Sequence, residues 1–171
     1  MYRGLSTIVL LFLFTSFIYF NFYLSRRMTM PTLNPNVTFK GNCEQAFDFY
    51  QTVFGGALSP KMRWGDYKEP EMEVPESAKY LIMHVSLPVG ESTLMGGDAL
   101  ENSPFPTTFG NNFTINIGTK SKEEADTLFS GLSKGGKIMM PMDIAFWGDY
   151  FGMFTDQFGI QWQVICDAKL L

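Results

Sequence analysis

The stretch NPNVTFKGNCEQAFDFYQTVFGG, residues 34–56, changes its period halfway along. Its opening, NPNVTF, has the β-branched and aromatic character of a short strand. From there the apolar residues fall at Cys43, Ala46, Phe47, Tyr50, Val53 and Phe54, the i, i+3, i+4 spacing of one helix face. Asn42 stands three residues before Gln45, a capping-box spacing, and Gly55-Gly56 supplies the stop. Strand, helix and terminator are all readable within 23 residues.

The same order returns from Asn112. NFTINI alternates as a strand does, and Ser121 and Glu124 form the pattern S-x-x-E at a helix start. KEEADTLFSGL then places Ala125, Leu128, Phe129 and Leu132 on one face, and Gly135-Gly136 closes it. That glycine pair lies 80 positions after Gly55-Gly56, and the triplet Trp-Gly-Asp also recurs, at 64–66 and 147–149. The chain is one module written twice.

Each helix is followed by strand material. In the first half LSPKMRWGD leads through the polar stretch YKEPEMEVPES to a hairpin, KYLIMHVSLPV and TLMGG around the turn GES. In the second, KIMMPMDIAFWGD leads to YFGMFTD and IQWQVIC around QFG. Each half reads β-α-β-β-β, and the fold class is α+β. The boundaries are an apolar N-terminal segment at 1–29, a first module at 30–98, a Pro-rich linker at 99–111 and a second module at 112–171. Side by side, two such modules are expected to form a concave mixed sheet with helices outside, and a concave, mostly apolar surface is where small ligands bind.

Composition narrows the partners. A net charge of −4 and a pI near 5.0 argue against nucleic acid. Seventeen Phe, seven Tyr, three Trp and eleven Met suit a dense core and equally an apolar cavity lined by adaptable side chains. Cys43 and Cys166 have no metal-binding spacing and are expected as reduced thiols. From Leu5 to Leu24 runs an uncharged stretch bracketed by Arg3 and Arg26-Arg27, and twenty residues at 1.5 Å rise span about 30 Å, enough for a bilayer core. Two readings stand: a membrane anchor, or translation that begins at Met28 or Met30 and yields a cytoplasmic protein.

Three segments resemble the vicinal oxygen chelate superfamily of glyoxalase I, bleomycin-resistance proteins and extradiol dioxygenases. They are residues 34–56, IMHVSLPVGESTLMGGD (82–98), and the run from Gly110 to Val164. Within that superfamily the chain is most similar to the PhnB-like branch. The resemblance covers residues 30–168, favours Met28 or Met30 as the start, and implies a homodimer and a small-molecule ligand. Catalytic members hold a divalent metal with one ligand from the first strand and one from the last strand of each module, typically His and Glu. Carried over, those positions fall at Asn36 (Pro35 without a gap), at Thr114, within Met95-Gly96-Gly97, and at Gln163. None is a histidine or carboxylate, so neither a divalent metal nor another cofactor is expected. PhnB-like domains have often carried the name 3-demethylubiquinone methyltransferase, but the sequence has no G-x-G-x-x-G loop to support that activity.

The resulting expectation is metal-independent binding of an apolar or aromatic ligand. Its residues are Asn36, His84, Met95, Thr114, Trp147, Asp149, Tyr150 and Gln163. His84 is the only histidine and is also read as a general base, in which case the chain is a lyase, isomerase or dioxygenase; equally, it is a strand residue satisfied by a neighbour. Asp98 either pairs with His84 or starts the linker. Trp147, Tyr150 and Phe151 form a ring platform with Asp149 to orient a ligand, or else the rings are core and Asp149 a turn residue. Gln161 and Gln163 share one strand face, opposite Trp162.

Overall fold

Val37 and Phe39 are buried while Asn36 is exposed, so strand β1 (Asn36–Phe39) has one core side, as its period of two requires. Helix α1 (Cys43–Phe54) buries Cys43, Ala46, Phe47 and Tyr50, the stripe read from the sequence. Its stop is Gly55, whose N–H donates to the Gln51 carbonyl at 2.9 Å; Gly55 and Gly56 both have positive φ, at 74° and 78°. Strands β2 (Met62–Arg63), β3 (Ile82–Val89) and β4 (Ser92–Asp98) complete the first module. The second holds β5 (Ile115–Thr119), α2 (Lys122–Leu132), β6 (Lys137–Ile144), β7 (Tyr150–Thr155) and β8 (Gln161–Cys166). This is a computed structural model, describing residues 31–68, 73–101 and 103–171, and Leu33–Leu171 forms one compact unit.

The two modules repeat one topology. Their strand orders are β1-β4-β3-β2 and β5-β8-β7-β6, with the first strand parallel to the last and the other neighbours antiparallel. Asn36 lies opposite Met95, and Asn116 opposite Gln163. Eighty positions separate Asn36 from Asn116, as they separate Gly55 from Gly135.

The helix-covered faces of both sheets enter one core. On one side of α1, Phe47 meets Phe39 of the first sheet, ring centroids 6.2 Å apart. On its other side, Tyr50 and Phe54 meet Trp162 of the second sheet at 5.5 and 6.0 Å. A Cβ on Gly131 of α2 would come within 2.9 Å of Val53, so the helices approach closely there. The expected α+β fold of two βαβββ modules is present. Its strands form two four-stranded mixed sheets with the helices at their junction, because α1 is apolar toward both. The other face of each sheet, its open face, is turned away from that core.

Gly96 in β4 shows how tightly α1 sits. A Cβ there would lie 2.5 Å from Phe47 Cε2 and 3.0 Å from the Val37 carbonyl oxygen. Gly96→Ala is expected to cost about 1–3 kcal/mol through overpacking, read as a lower urea midpoint; an unchanged midpoint would show that the Phe47 ring gives way freely.

Cys43 and Cys166 are free, buried thiols. Burial, with the Asp98 and Glu44 carboxylates nearby, pushes the Cys43 thiol up from an ordinary 9.0 to about 12. Burial and then Asp156 raise the Tyr50 phenol as well. Both groups stay neutral in the fold, whereas the unfolded chain ionises at their ordinary values. Their stability contribution is therefore complete below pH 9 and lost as pH rises toward 12. Urea midpoints should fall between about pH 9 and 11, and less steeply in Cys43→Ala; a flat profile would contradict the assignment.

The apolar run 5–24, with Arg26, Arg27, Met28 and Met30, lies outside the described residues. Among the described residues no helix is long and apolar enough to cross a membrane.

Candidate functional site

In β3, Val85 and Leu87 are buried against the helices, which puts His84 and Ser86 on the open face. In β4, buried Leu94 and Gly96 alternate with Met95 and Gly97, so Met95 shares that face. The register then orders the side chains into rows. Asn36, Met95 and Ser86 form one row across β1, β4 and β3. Thr38 lies opposite Gly97, and Met62 opposite His84, in the next. His84 is partly exposed and makes no side-chain hydrogen bond among the described residues. The structure thus brings Asn36, Met95 and His84 onto one surface.

The second sheet repeats the pattern. Trp162, Val164 and Cys166 point into the core, leaving Gln161, Gln163 and Ile165 on the open face. Asn116, Gln163, Met153 and Met140 form the row equivalent to Asn36, Met95 and Ser86. This corrects one carried-over position: the counterpart of Asn36 is Asn116, not Thr114. Thr114 precedes β5, and its hydroxyl approaches Gln161 Oε1 at 3.5 Å. The slip of two residues preserved the face and so left no trace in the alternation. Among the described residues, Gln163 Nε2 meets only the Met153 sulfur, at 3.8 Å.

The expected ring platform divides. The Tyr150 hydroxyl donates to Asp126 Oδ1 of α2 at 2.7 Å, and the Lys122 ammonium lies 4.4 Å from its ring centroid, so Tyr150 belongs to the helix side. The Asp126 carboxylate raises the Tyr150 hydroxyl above its ordinary value, and that hydrogen bond lowers Asp126. Trp147 instead stacks edge-on against Phe151 at 5.3 Å, and exposed Phe146 stacks on Trp147 at 4.8 Å. Asp149 Oδ1 accepts from the Ala168 N–H at 2.9 Å, pinning the chain after β8. Asp149 therefore serves the turn and Tyr150 the helix, while Trp147 and Phe151 remain as a ring pair.

Two buried carboxylates have roles that the sequence did not assign to them. Asp98 ends β4 rather than starting the linker, and it points to the helix side, away from His84. Its Oδ1 accepts from Gly41 N at 3.0 Å and Cys43 N at 2.9 Å, and its Oδ2 from Ile82 N at 2.9 Å. Asp98 therefore caps α1, a task the sequence assigned to Asn42, whose side chain makes no capping bond. In the second module Ser121 does cap, accepting from Glu124 N at 3.2 Å. Asp156 Oδ2 accepts from the Tyr50 hydroxyl at 2.6 Å and Trp162 Nε1 at 2.8 Å. Its Oδ1 accepts from Phe158 N and Ile160 N. The local part of this, an Asx turn at Asp156-Gln157-Phe158, was available from sequence; the partner Tyr50, 106 positions away, was not.

A cavity of about 900 Å³ opens at the module junction, between Phe54, Trp162, Pro88 and the edge of β5. Of the sequence-predicted residues, Thr114 and Pro35, the ungapped alternative to Asn36, line it. Asn36, His84 and Met95 lie on one open face, and Gln163 on the other. As the helix-covered faces meet in the core, one chain does not bring these two sets together.

The divalent metal that the resemblance implies for catalytic members does not fit these donors. The four equivalent positions carry two carboxamides, a thioether and a third carboxamide: Asn36, Asn116, Met95 and Gln163. Among the described residues no three His, Cys, Asp or Glu side chains are grouped to hold a metal ion.

Residues 31–165 match the family model described as 3-demethylubiquinone-9 3-methyltransferase. The chain is similar to protein YjdN of Escherichia coli K12, 30% identical over 142 residues, covering 77% of this chain and 92% of that protein. It is similar to protein PA1353 of Pseudomonas aeruginosa, with 38% identity and a TM-score of 0.69 over 81% of this chain and 98% of that structure. The fold alone is shared with a glyoxalase/bleomycin resistance protein/dioxygenase family enzyme of Burkholderia phytofirmans. There identity is 17% and the TM-score 0.54, over 81% of this chain and 97% of the other.

Proposed function

The chain belongs to the 3-demethylubiquinone-9 3-methyltransferase family, the PhnB-like branch of the vicinal oxygen chelate superfamily, and from that premise we propose that it binds a small apolar or aromatic molecule without a resident metal. One observation carries the reading. The positions that the superfamily resemblance assigns to metal ligands in catalytic members are occupied by Asn36, Met95, Asn116 and Gln163, which supply no anionic or imidazole donor. Around them stand Phe151, Met153 and Met140, large polarizable groups that suit an apolar ligand. A methyltransferase would need a nucleotide-type loop; the glycine pairs at 55–56 and 135–136 instead follow the helices.

A second copy completes the site. Strands β1 and β5 are edges of their sheets and equivalent in the duplication. Pairing β1 of one copy with β5 of another, twice around a two-fold axis, closes both edges. It places Asn36, Met95 and His84 of one chain beside Asn116, Gln163 and Phe151 of its partner.

Native mass spectrometry with elemental analysis tests this directly. A dimer carrying a co-purified small molecule and no stoichiometric metal is expected. A monomer, or tightly held metal released by Gln163→Ala or His84→Ala, would overturn it. The alternative reading, a His84-assisted lyase, isomerase or dioxygenase, draws on the His84 ring, which has no side-chain hydrogen bond among the described residues and shares a face with Asn36 and Met95. Turnover that disappears in His84→Gln would establish that alternative.

A further inference from the structure

We infer that Asn36, Asn116 and Gln163 form a carboxamide cradle selective for an uncharged ligand bearing a carbonyl oxygen; this rests on the two-copy binding reading above. Asn36 and Asn116 side chains make no hydrogen bond among the described residues, and the Gln163 amide meets only the Met153 thioether at 3.8 Å. Three carboxamides therefore retain their donors on surfaces otherwise made of Met95, Ser86, Met153 and Met140. Enclosing such amides beneath an apolar ligand strips water from them, which costs free energy unless the ligand returns a hydrogen bond.

Charge decides the class. The rows Asn36-Met95-Ser86 and Asn116-Gln163-Met153-Met140 contain no ionisable side chain; His84 and Asp143, opposite Met62 and Phe151, lie in the rows beside them, so a ligand carboxylate or ammonium desolvated on the amide rows has no counter-ion in its own row. A hydrocarbon leaves the amides unpaired. A neutral carbonyl compound brings no charge and accepts from the amide N–H groups, while its rings lie on Met153 and Phe151. A site built to hydrogen-bond discriminates more sharply than an apolar one, because the wrong ligand strands its polar groups.

Three molecules of one ring skeleton test this: fluorene, 9-fluorenone and fluorene-9-carboxylate, titrated calorimetrically into the full chain. The expected order is fluorenone at least ~10-fold tighter than fluorene, with the carboxylate weakest. In Asn116→Leu and Gln163→Leu, checked for native circular dichroism, the fluorenone-to-fluorene ratio should collapse toward one. Equal binding of fluorenone and fluorene, a carboxylate that binds best, or a ratio that survives both substitutions overturns the carbonyl class but leaves the binding reading standing. Failure of all three to bind overturns both.

Discussion

Asp156→Ala is expected to destabilise the fold by about 4–6 kcal/mol, since each buried donor left unpaired costs roughly 1–3 kcal/mol. Four donors lose their acceptor at once: the Tyr50 hydroxyl, Trp162 Nε1 and the N–H groups of Phe158 and Ile160. Asp156 is 4% exposed and Tyr50 1%, so water does not readily replace the carboxylate. Against a total stability of about 5–15 kcal/mol, this loss empties much of the native population. Tyr50→Phe should cost only about 1 kcal/mol, because donor and one acceptor contact go together while three donors stay satisfied. The double variant should lose less than the sum of the two singles, since the tyrosine replacement removes the hydroxyl that Asp156→Ala alone would strand. Urea unfolding followed by circular dichroism measures all three. A midpoint for Asp156→Ala within error of the parent would show that the modules are joined by packing alone.

Asp98→Ala is expected to cost about 3–5 kcal/mol, on the same reasoning with three backbone donors. Gly41 N and Cys43 N belong to the start of α1, and Ile82 N to β3, so the carboxylate ties the helix to its own sheet. A negative charge also suits a helix N-terminus. Loss of Asp98 should speed amide hydrogen exchange at Cys43 and Ile82 before it affects the second module. Asn42→Ala should be nearly silent, because the Asn42 side chain makes no capping bond. If Asn42→Ala proves the more damaging of the two, the capping assignment is wrong.

These two carboxylates mark the boundary of what a sequence reader can see. Cys43, Ala46, Phe47 and Tyr50 announce their burial by spacing, because a helix turns every 3.6 residues whatever surrounds it. Gly55, Gly56 and Gly135 announce their stops because positive φ is cheap for glycine alone. Ser121 and Glu124 lie within one helical turn, and their cap was legible. Asp98 and Asp156 act on partners 55 and 106 positions away, and nothing local distinguishes them from linker or turn residues.

The site divides along the same line. Duplication and module order follow from the sequence by itself, since each is a local pattern. Strand register is different, because the alternation is unchanged by a slip of two; only the ladder placed Asn116, rather than Thr114, opposite Gln163. Likewise, Tyr150 looked like a neighbour of Trp147 until the bond to Asp126 sent it to the helix side. That the helix-covered faces meet in one core was also a tertiary decision, made by α1 being apolar toward both sheets. Local chemistry settles what each element is, whereas long-range packing settles which surfaces remain open to a ligand.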